Sequence, residues 1–322
     1  MVRIAAWEEI KARLPYYGSD IKDAVHRRTL SATLFMVFSS ITPALTFGSA
    51  FYLSTHGAIG VTEVIMSTLV TGCLFSLLAG QPLVIVGVTG PVLIFYTTVY
   101  DLSVQFQFPF LPWMSWICLW SALMHIIIGF AGLSNIVRYV TAFSCDVFGL
   151  LIAVIYVVEG ITGFVNAFRT VSVASALAPL VLGLATFVVG LYLHGANAWT
   201  IFNTLTRALI ADYGPSLTVI FFAGLSWLPV FYASPMERIA VPAAFGTTNG
   251  RPWLVDLGAA GGGAIAAAIL PALVLTALFY FDHNVSSLLS QRPEFHLRKP
   301  AAYNWDIVVL GLTMIPSPVI GV

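Results

Sequence analysis

The stretch from residue 81 to residue 101 contains the residues whose types and spacing predict a binding site. Its apolar run is interrupted by Gly87, Thr89, Gly90 and Pro91. Thr89 or Gly90 suits the N-cap of a helix, and Pro91 suits the first helical position, where an N–H would have no helical partner. A helix that begins inside an apolar run leaves bare N–H groups and the positive end of its dipole there. The pattern therefore predicts a site for an anion.

Two short elements must position this site. The helix is expected to run from Pro91 to Tyr100, which gives a rise of about 15 Å, half of a hydrocarbon core of about 30 Å. Residues 83–88 are rich in β-branched side chains, which favours an extended segment before the helix. Broken helices of this kind carry the binding sites of secondary transporters. A kinked helix without a ligand is the alternative, because Gly and Pro are common in membrane helices.

Seven ionisable residues lie inside or at the edges of apolar runs: Glu63, Asp101, His125, Asp146, Glu159, Asp282 and His283. Asp282 is the strongest candidate, because residues 284–290 can continue its helix by two turns and draw the carboxylate inward. Otherwise Asp282 is a helix-terminal charge at the membrane interface. Contact with water explains Glu63 and Asp101, which stand at run ends. A lone mid-span histidine such as His125 more often bonds to a neighbouring helix than acts in function.

Hydroxyl groups surround a proline in the first apolar run. The proline is Pro43, and the hydroxyls belong to Ser39, Ser40, Thr42 and Thr46. Such hydroxyls either satisfy the carbonyls that the proline frees or face a substrate. Thr42 is the member of this group that we include in the predicted substrate site.

Composition predicts an all-α polytopic membrane protein. The chain has 322 residues, of which 59% are hydrophobic and 9% are charged, whereas soluble domains carry about 25% charged residues. A formal net charge of zero gives no indication of nucleic acid. The sequence has no zinc motif, nucleophile elbow, P-loop or dinucleotide fingerprint, and its three cysteines lack metal-type spacing. We therefore expect no enzyme activity, no cofactor and no metal.

Nine spanning segments are predicted, of which the third is discontinuous. They cover roughly residues 29–53, 61–79, 82–101, 112–132, 142–166, 174–194, 216–234, 257–281 and 306–322. Residues 1–28 precede them, and helical spacing up to Pro15, with Trp7 in the apolar stripe, predicts an amphipathic helix on the membrane surface. A solvated tail is the alternative. If the N-terminus is cytoplasmic, only three of the Lys and Arg residues lie in loops on the opposite side of the membrane: Arg169, Arg238 and Arg251. This distribution accords with the positive-inside rule.

Five stretches of the chain resemble the bicarbonate-transporter family, which holds the anion exchangers and the borate transporters. They are residues 13–20, 81–91, 116–121, 138–149 and 281–287. The second stretch, Gln-Pro-Leu-Val-Ile-Val-Gly-Val-Thr-Gly-Pro, is a specific motif. The likeness extends from about Arg13 to about Gly311 and is greatest to the fungal borate transporters.

The resemblance implies two inverted repeats of seven spans, in which a core domain moves against a gate domain. By this resemblance, residues 29–132 form core-type spans one to four. Residues 133–250 form gate-type spans five to seven, and residues 251–322 form core-type spans eight and nine. Spans ten to fourteen have no counterpart here, so we expect an incomplete 7+7 arrangement that does not transport alone.

The resemblance also implies the site residues. The half-helix at Val88, Thr89 and Gly90 faces a second half-helix, from span ten, across the anion. Asp282 stands where the family places an acidic residue close to the anion. The anion exchangers carry Glu at the matching position, so Asp282 fits the borate branch better.

The implied function is transport of an inorganic anion, with borate efflux by alternating access as the leading hypothesis. A chloride–bicarbonate exchanger with the same architecture is one alternative, and a truncated, non-transporting subunit or a fragment of a longer protein is another. The expected partners are the anion, the lipid bilayer and a second copy in a homodimer. The expected location is the plasma membrane or the vacuolar membrane, with a cytoplasmic N-terminus.

Overall fold

The protein is helical throughout the part that the structure describes. The computed structural model describes residues 5–232, 238–239 and 245–321, and no strand occurs among them. Residues 1–4 of the predicted amphipathic segment, residues 233–234 of the predicted seventh span and residue 322 of the predicted ninth span lie outside these ranges. The prediction of an all-α protein is confirmed.

Fourteen α-helices occur in the described residues. They are α1 (Ala5–Arg13), α2 (Tyr17–Asp23), α3 (Arg27–Ser54), α4 (Val61–Leu78), α5 (Gly90–Phe106), α6 (Phe110–Phe130), α7 (Ala142–Thr170), α8 (Val173–His194), α9 (Thr204–Leu225), α10 (Pro229–Tyr232), α11 (Gly261–Ala267), α12 (Ile269–Ser290), α13 (Tyr303–Thr313) and α14 (Pro316–Ile320). Short 3-10 helices lie at Leu14–Tyr16, Leu133–Tyr139, Gly195–Ala198, Leu257–Ala260 and Pro293–Phe295.

Seven of the described helices are long and apolar enough to cross a membrane. They are α3, α4, α6, α7, α8, α9 and α12. The predicted third and ninth spans are shorter pieces, since α5 follows an irregular segment and α13 is separated from α14 by a turn. The predicted eighth span breaks at Ala268, between α11 and α12. A polytopic membrane protein is therefore the architecture, as predicted.

Several helix boundaries differ from the expected ones, most of all in α5 and α9. Helix α5 continues to Phe106, so it rises about 25 Å instead of about 15 Å. Hydropathy falls at Asp101, but a single exposed carboxylate does not end a helix; the chain turns at Gln107, which adopts the left-handed conformation (φ 57°). Helix α9 begins at Thr204, twelve residues before the expected start, because Asn203 caps it by accepting a hydrogen bond from the Thr206 N–H.

The chain divides into two compact units. The first comprises Met1–Ile21, Thr42–Ile152 and Ala240–Val322, and the second comprises Lys22–Ile41 and Ala153–Ile239. In the first unit α6 is the central helix and packs on α5, α12 and α13. In the second unit α8 packs on α9, where Gly214 lies against Leu193. The assignment of segments to core and gate domains stays a prediction.

Two glycines let α6 and α13 approach closely. A Cβ atom on Gly129 would lie 2.4 Å from Val308 Cγ2 and 2.7 Å from the Asn304 carbonyl oxygen. A Cβ atom on Gly311 would lie 2.9 Å from the Ala122 carbonyl oxygen. Small residues at a helix crossing allow close backbone packing of this kind. The contact matters for the site, because α13 begins with residues that hold the irregular segment before α5.

We expect Gly129→Ala to destabilise the protein by about 1–3 kcal/mol, because the new methyl group meets backbone that cannot move aside. Gly72→Ala in α4 is the matched control, since a Cβ atom there meets nothing within 4 Å. The control should leave the melting temperature unchanged or raise it slightly. Thermal unfolding in detergent measures both, and equal melting temperatures would show that the α6–α13 contact is not tight.

Candidate functional site

Helix α5 begins from an irregular segment inside the first unit. Residues 79–89 follow the end of α4 and adopt neither helix nor strand, as the sequence predicts. Thr89 is the N-cap of α5, with an extended backbone (φ −125°, ψ 164°), and its side chain makes no capping bond. The Thr89 Oγ1 atom is buried and has no hydrogen-bond partner among the described residues. A buried hydroxyl without a partner at a helix start is a ready acceptor or donor for a ligand.

The start of this segment depends on a buried carboxylate. Asp306 is fully buried, and its Oδ1 atom accepts hydrogen bonds from the N–H groups of Gly80 (2.7 Å) and Gln81 (3.3 Å). These two N–H groups have no helical partner, and an unpaired backbone N–H in an apolar setting costs several kcal/mol. Asp306 therefore permits the chain to leave the helical geometry of α4 at residues 80–81.

Side chains from the amphipathic segment satisfy the carbonyl groups. The Arg13 Nε atom donates to the Gly80 carbonyl, and the Tyr17 hydroxyl donates to the carbonyls of Leu78 and Ala79, both at 3.0 Å. Burial raises the pKa of the Tyr17 phenol, so it stays a donor at neutral pH. Residues that the sequence assigns to the membrane surface thus also position the irregular segment.

Two further contacts complete the group that we call the Asp306 clamp, which consists of Arg13, Tyr17, Trp305 and Asp306. The Trp305 indole donates to the Leu78 carbonyl at 2.7 Å, and its backbone N–H donates to the carboxylate of Glu9 at 2.8 Å. Sequence analysis did not select Asp306 or Trp305. The available signal was the acidic Asp306 at the start of the predicted ninth span, next to the aromatic Trp305.

A cavity of about 260 Å³ lies at the other end of the segment, in the first unit. Thr89 and Asp282 both line it, so the structure brings two of the predicted site residues together. His283 and Ser286 add polar groups from α12, while Phe148 contributes to an apolar wall. We call this space the Thr89 cavity.

Asp282 is not a helix-terminal charge. Helix α12 continues to Ser290, which is the first of the two alternatives that the sequence leaves open, and this places Asp282 two turns before its end. Its carboxylate is half-buried and has no hydrogen bond or ion pair with the described residues. A carboxylate that faces a cavity without a partner inside a spanning segment is a candidate for function.

Of the two buried histidines, His283 on α12 lines this cavity, whereas His125 on α6 is not among its lining residues. His283 is 5% exposed, its ring packs edge-on against Phe75 at 5.4 Å, and its Nε2 atom has no partner among the described residues. His125 donates from Nδ1 to the carbonyl of Ser121 at 2.8 Å, so it bonds to its own helix and not to a neighbouring one.

The other predicted site residues lie apart from the Thr89 cavity. Val88 lines a second cavity of about 100 Å³, together with Thr68. Gly90 is buried as the first residue of α5. Thr42 lies on the exposed side of α3, and its carbonyl accepts a hydrogen bond from the Thr46 hydroxyl at 3.0 Å. The roles of these three residues stay predictions.

Glu63 corrects one interpretation from the sequence. Contact with water does not explain it, because it is fully buried. Its carboxylate accepts hydrogen bonds from the N–H groups of Gly60 (3.0 Å) and Thr248 (2.7 Å), and the Arg251 guanidinium lies 3.9 Å away. Glu63 thus fixes the start of α4 to a distant loop, whereas Asp101 is exposed as expected.

Sequence comparison decides the family. The family model described as the HCO3− transporter integral membrane domain matches residues 4–178 and 170–322. The chain belongs to the HCO3− transporter family. The matched ranges include every residue of the Asp306 clamp and of the Thr89 cavity.

Relatives within the HCO3− transporter family carry transporter names. A protein of Schizosaccharomyces pombe named as a transporter is 37% identical over 322 residues, which cover 98% of this chain and 60% of that protein. Boron transporter 1 of Saccharomyces cerevisiae is 35% identical, covering 99% of this chain and 57% of that protein. Anion exchange protein 3 of Danio rerio is 28% identical, covering 97% and 30%. The chain thus spans 60% or less of the length of these relatives.

We expect Asp306→Leu to destabilise the protein strongly, because it leaves the N–H groups of Gly80 and Gln81 unpaired at about 1–3 kcal/mol each. Asp306→Asn keeps an oxygen acceptor at Oδ1 and should cost much less. Asp101→Leu, at an exposed position of α5, controls for the loss of a carboxylate. Melting temperatures in detergent rank the three variants, and a Leu variant as stable as the Asn variant would refute the role given to Asp306.

Proposed function

We propose that the protein takes part in the transport of borate across a membrane and binds it in the Thr89 cavity, at the N-terminus of α5. The observation that carries this proposal is the unpartnered Thr89 hydroxyl at an uncapped helix start, with Asp282 in the same cavity. The names of the boron transporters among its relatives support the substrate.

The polar groups of the cavity favour a substrate with several O–H groups. The N-terminus of α5 attracts negative charge and donates hydrogen bonds. The carboxylate of Asp282 only accepts them when ionised. Borate and boric acid carry several O–H groups, bicarbonate carries one and chloride carries none. A site that accepts hydrogen bonds from substrate hydroxyls discriminates strongly against analogues that lack them, because its own polar groups are then left unpaired.

Anion exchange is the second candidate. The similarity to Anion exchange protein 3 of Danio rerio favours it. The carboxylate of Asp282 does not by itself separate the two candidates, because the resemblance places Glu at the matching position of the anion exchangers and the single O–H group of bicarbonate can also donate to a carboxylate. A non-transporting subunit is the third, and it predicts that no variant of Asp282 changes transport.

The proposal has three further parts. The protein works by alternating access between a core and a gate domain, it forms a homodimer, and it exports borate across the plasma membrane or the vacuolar membrane. The irregular segment 79–89 interrupts the helices of the first unit, and broken helices of this type line the sites of secondary transporters. These statements extend the family assignment to the mechanism of this chain.

The test of borate transport uses a chimera in which this chain replaces the matching part of Boron transporter 1 in Saccharomyces cerevisiae cells that lack their own copy. We expect the chimera to lower cellular boron. The Asp282→Asn variant should lose most of this export, because the negative charge of the carboxylate is lost. The control variant Asp101→Asn should export boron like the parent chimera. Cellular boron, normalised to chimera abundance in the membrane, is the readout. Full export by the Asp282→Asn chimera would contradict the site, and chloride–bicarbonate exchange without boron export would favour the exchanger.

Orientation is tested by labelling. A tag at residue 1 and a tag within residues 290–299 should both be cytoplasmic, because basic residues concentrate in these two segments. A membrane-impermeant reagent applied to intact cells should label neither tag and should label both after permeabilisation. Labelling of either tag from outside would overturn the orientation.

A further inference from the structure

A larger cavity, of about 600 Å³, lies beside the start of the irregular segment in the first unit. Three parts of the chain line it: residues 13–21, residues 76–83 and residues 296–299. None of its lining residues lines the Thr89 cavity. Its content is therefore a question separate from the proposed transport site.

The charged groups around this cavity are mainly basic. Arg13, Arg298 and Lys299 line it, and Asp20 is the one carboxylate among its lining residues. Asp20 pairs with both Arg13 (2.6 Å to Nη2) and Lys299. Partial burial and then the positive charge of Arg13 lower the pKa of Lys299. The cavity thus has a surplus of positive charge.

Arg13 also has an unsatisfied donor. The residue is 2% exposed, and its Nη1 atom has no hydrogen-bond partner among the described residues. Buried polar atoms in folded proteins nearly always have a partner, so a missing one indicates an unseen acceptor. A guanidinium is well suited to a phosphate oxygen, which it binds through parallel N–H groups.

The margin of the cavity is aliphatic and open. Ile21 and Leu77 are 75% and 71% exposed, and Leu83 and Leu297 are also exposed. The adjoining α1 carries an exposed Trp7, which is typical of a helix at a membrane interface. A ligand with an anionic head and apolar chains would match both parts of this surface.

We propose that this cavity binds the phosphate headgroup of an anionic phospholipid, with the acyl chains along the exposed aliphatic side chains. Juxtamembrane basic groups attract anionic lipid headgroups in general. Here the lipid would bridge the amphipathic segment and the start of the irregular segment, because Arg13 contacts both the cavity and the Gly80 carbonyl. The headgroup would thus contribute to the stability of the Asp306 clamp.

The test measures binding of dioctanoyl phosphatidic acid to the purified chain in a neutral maltoside detergent. Dioctanoyl phosphatidylcholine and glycerol 3-phosphate are the comparison probes, and the rise in melting temperature with probe concentration gives the affinities. We expect saturable binding of phosphatidic acid and little of the other two. A double variant, Arg298→Met with Lys299→Met, should weaken the binding about tenfold or more through the loss of charge-assisted hydrogen bonds.

One control variant keeps the test decisive. Lys11→Met removes a basic residue of α1 that does not line the cavity, and it should bind phosphatidic acid like the parent. Arg13 is not varied, because it also holds the Gly80 carbonyl. Equal binding of phosphatidylcholine, or parental affinity in the folded double variant, would overturn the proposal. Binding of glycerol 3-phosphate as tight as that of phosphatidic acid would show a site for free phosphate esters instead of a lipid.

Discussion

The buried carboxylate of Asp306 is the group on which the irregular segment depends. An apolar environment offers backbone groups no water, so a chain leaves helical geometry there only where other protein groups replace the lost hydrogen bonds. Asp306 supplies the acceptor for Gly80 and Gln81, and Arg13 and Tyr17 supply donors for the carbonyls. Without these contacts a continued helix after α4 would have a lower free energy than the irregular segment, because a helix pairs its own backbone groups. Helix α5 would then have no free N-terminus.

The candidate site follows from that free N-terminus. Thr89 begins α5 without a capping bond, and Asp282 contributes a carboxylate to the same cavity because α12 continues past it. The positive end of a helix and a carboxylate acceptor together suit a ligand that carries both negative charge and O–H groups. This combination is the physical basis of the proposed borate site.

The sequence predicts features that local chemistry determines. Gly90 and Pro91 predict the start of α5, whereas the composition of residues 284–290 allows the observed extension of α12 but leaves a helix end near Asp282 as an equal alternative. Asp306 and Glu63 were missed or misinterpreted, because their hydrogen-bond partners lie 226 and 185 residues away in sequence. Spacing rules concern neighbours within a few turns, so they can indicate the contact of Glu63 with Gly60, three residues away, but not the long-range partners of either carboxylate.

Amide hydrogen exchange at the start of α5 tests the central claim most directly. The purified chain is compared with and without borate, and peptides that cover residues 86–95 are analysed by mass spectrometry. Borate bound to the N-terminus of α5 should slow exchange in these peptides, and Thr89→Val should remove much of the effect while α5 stays folded. Unchanged exchange at residues 86–95 in saturating borate, or equal protection in the Thr89→Val variant, would contradict the account.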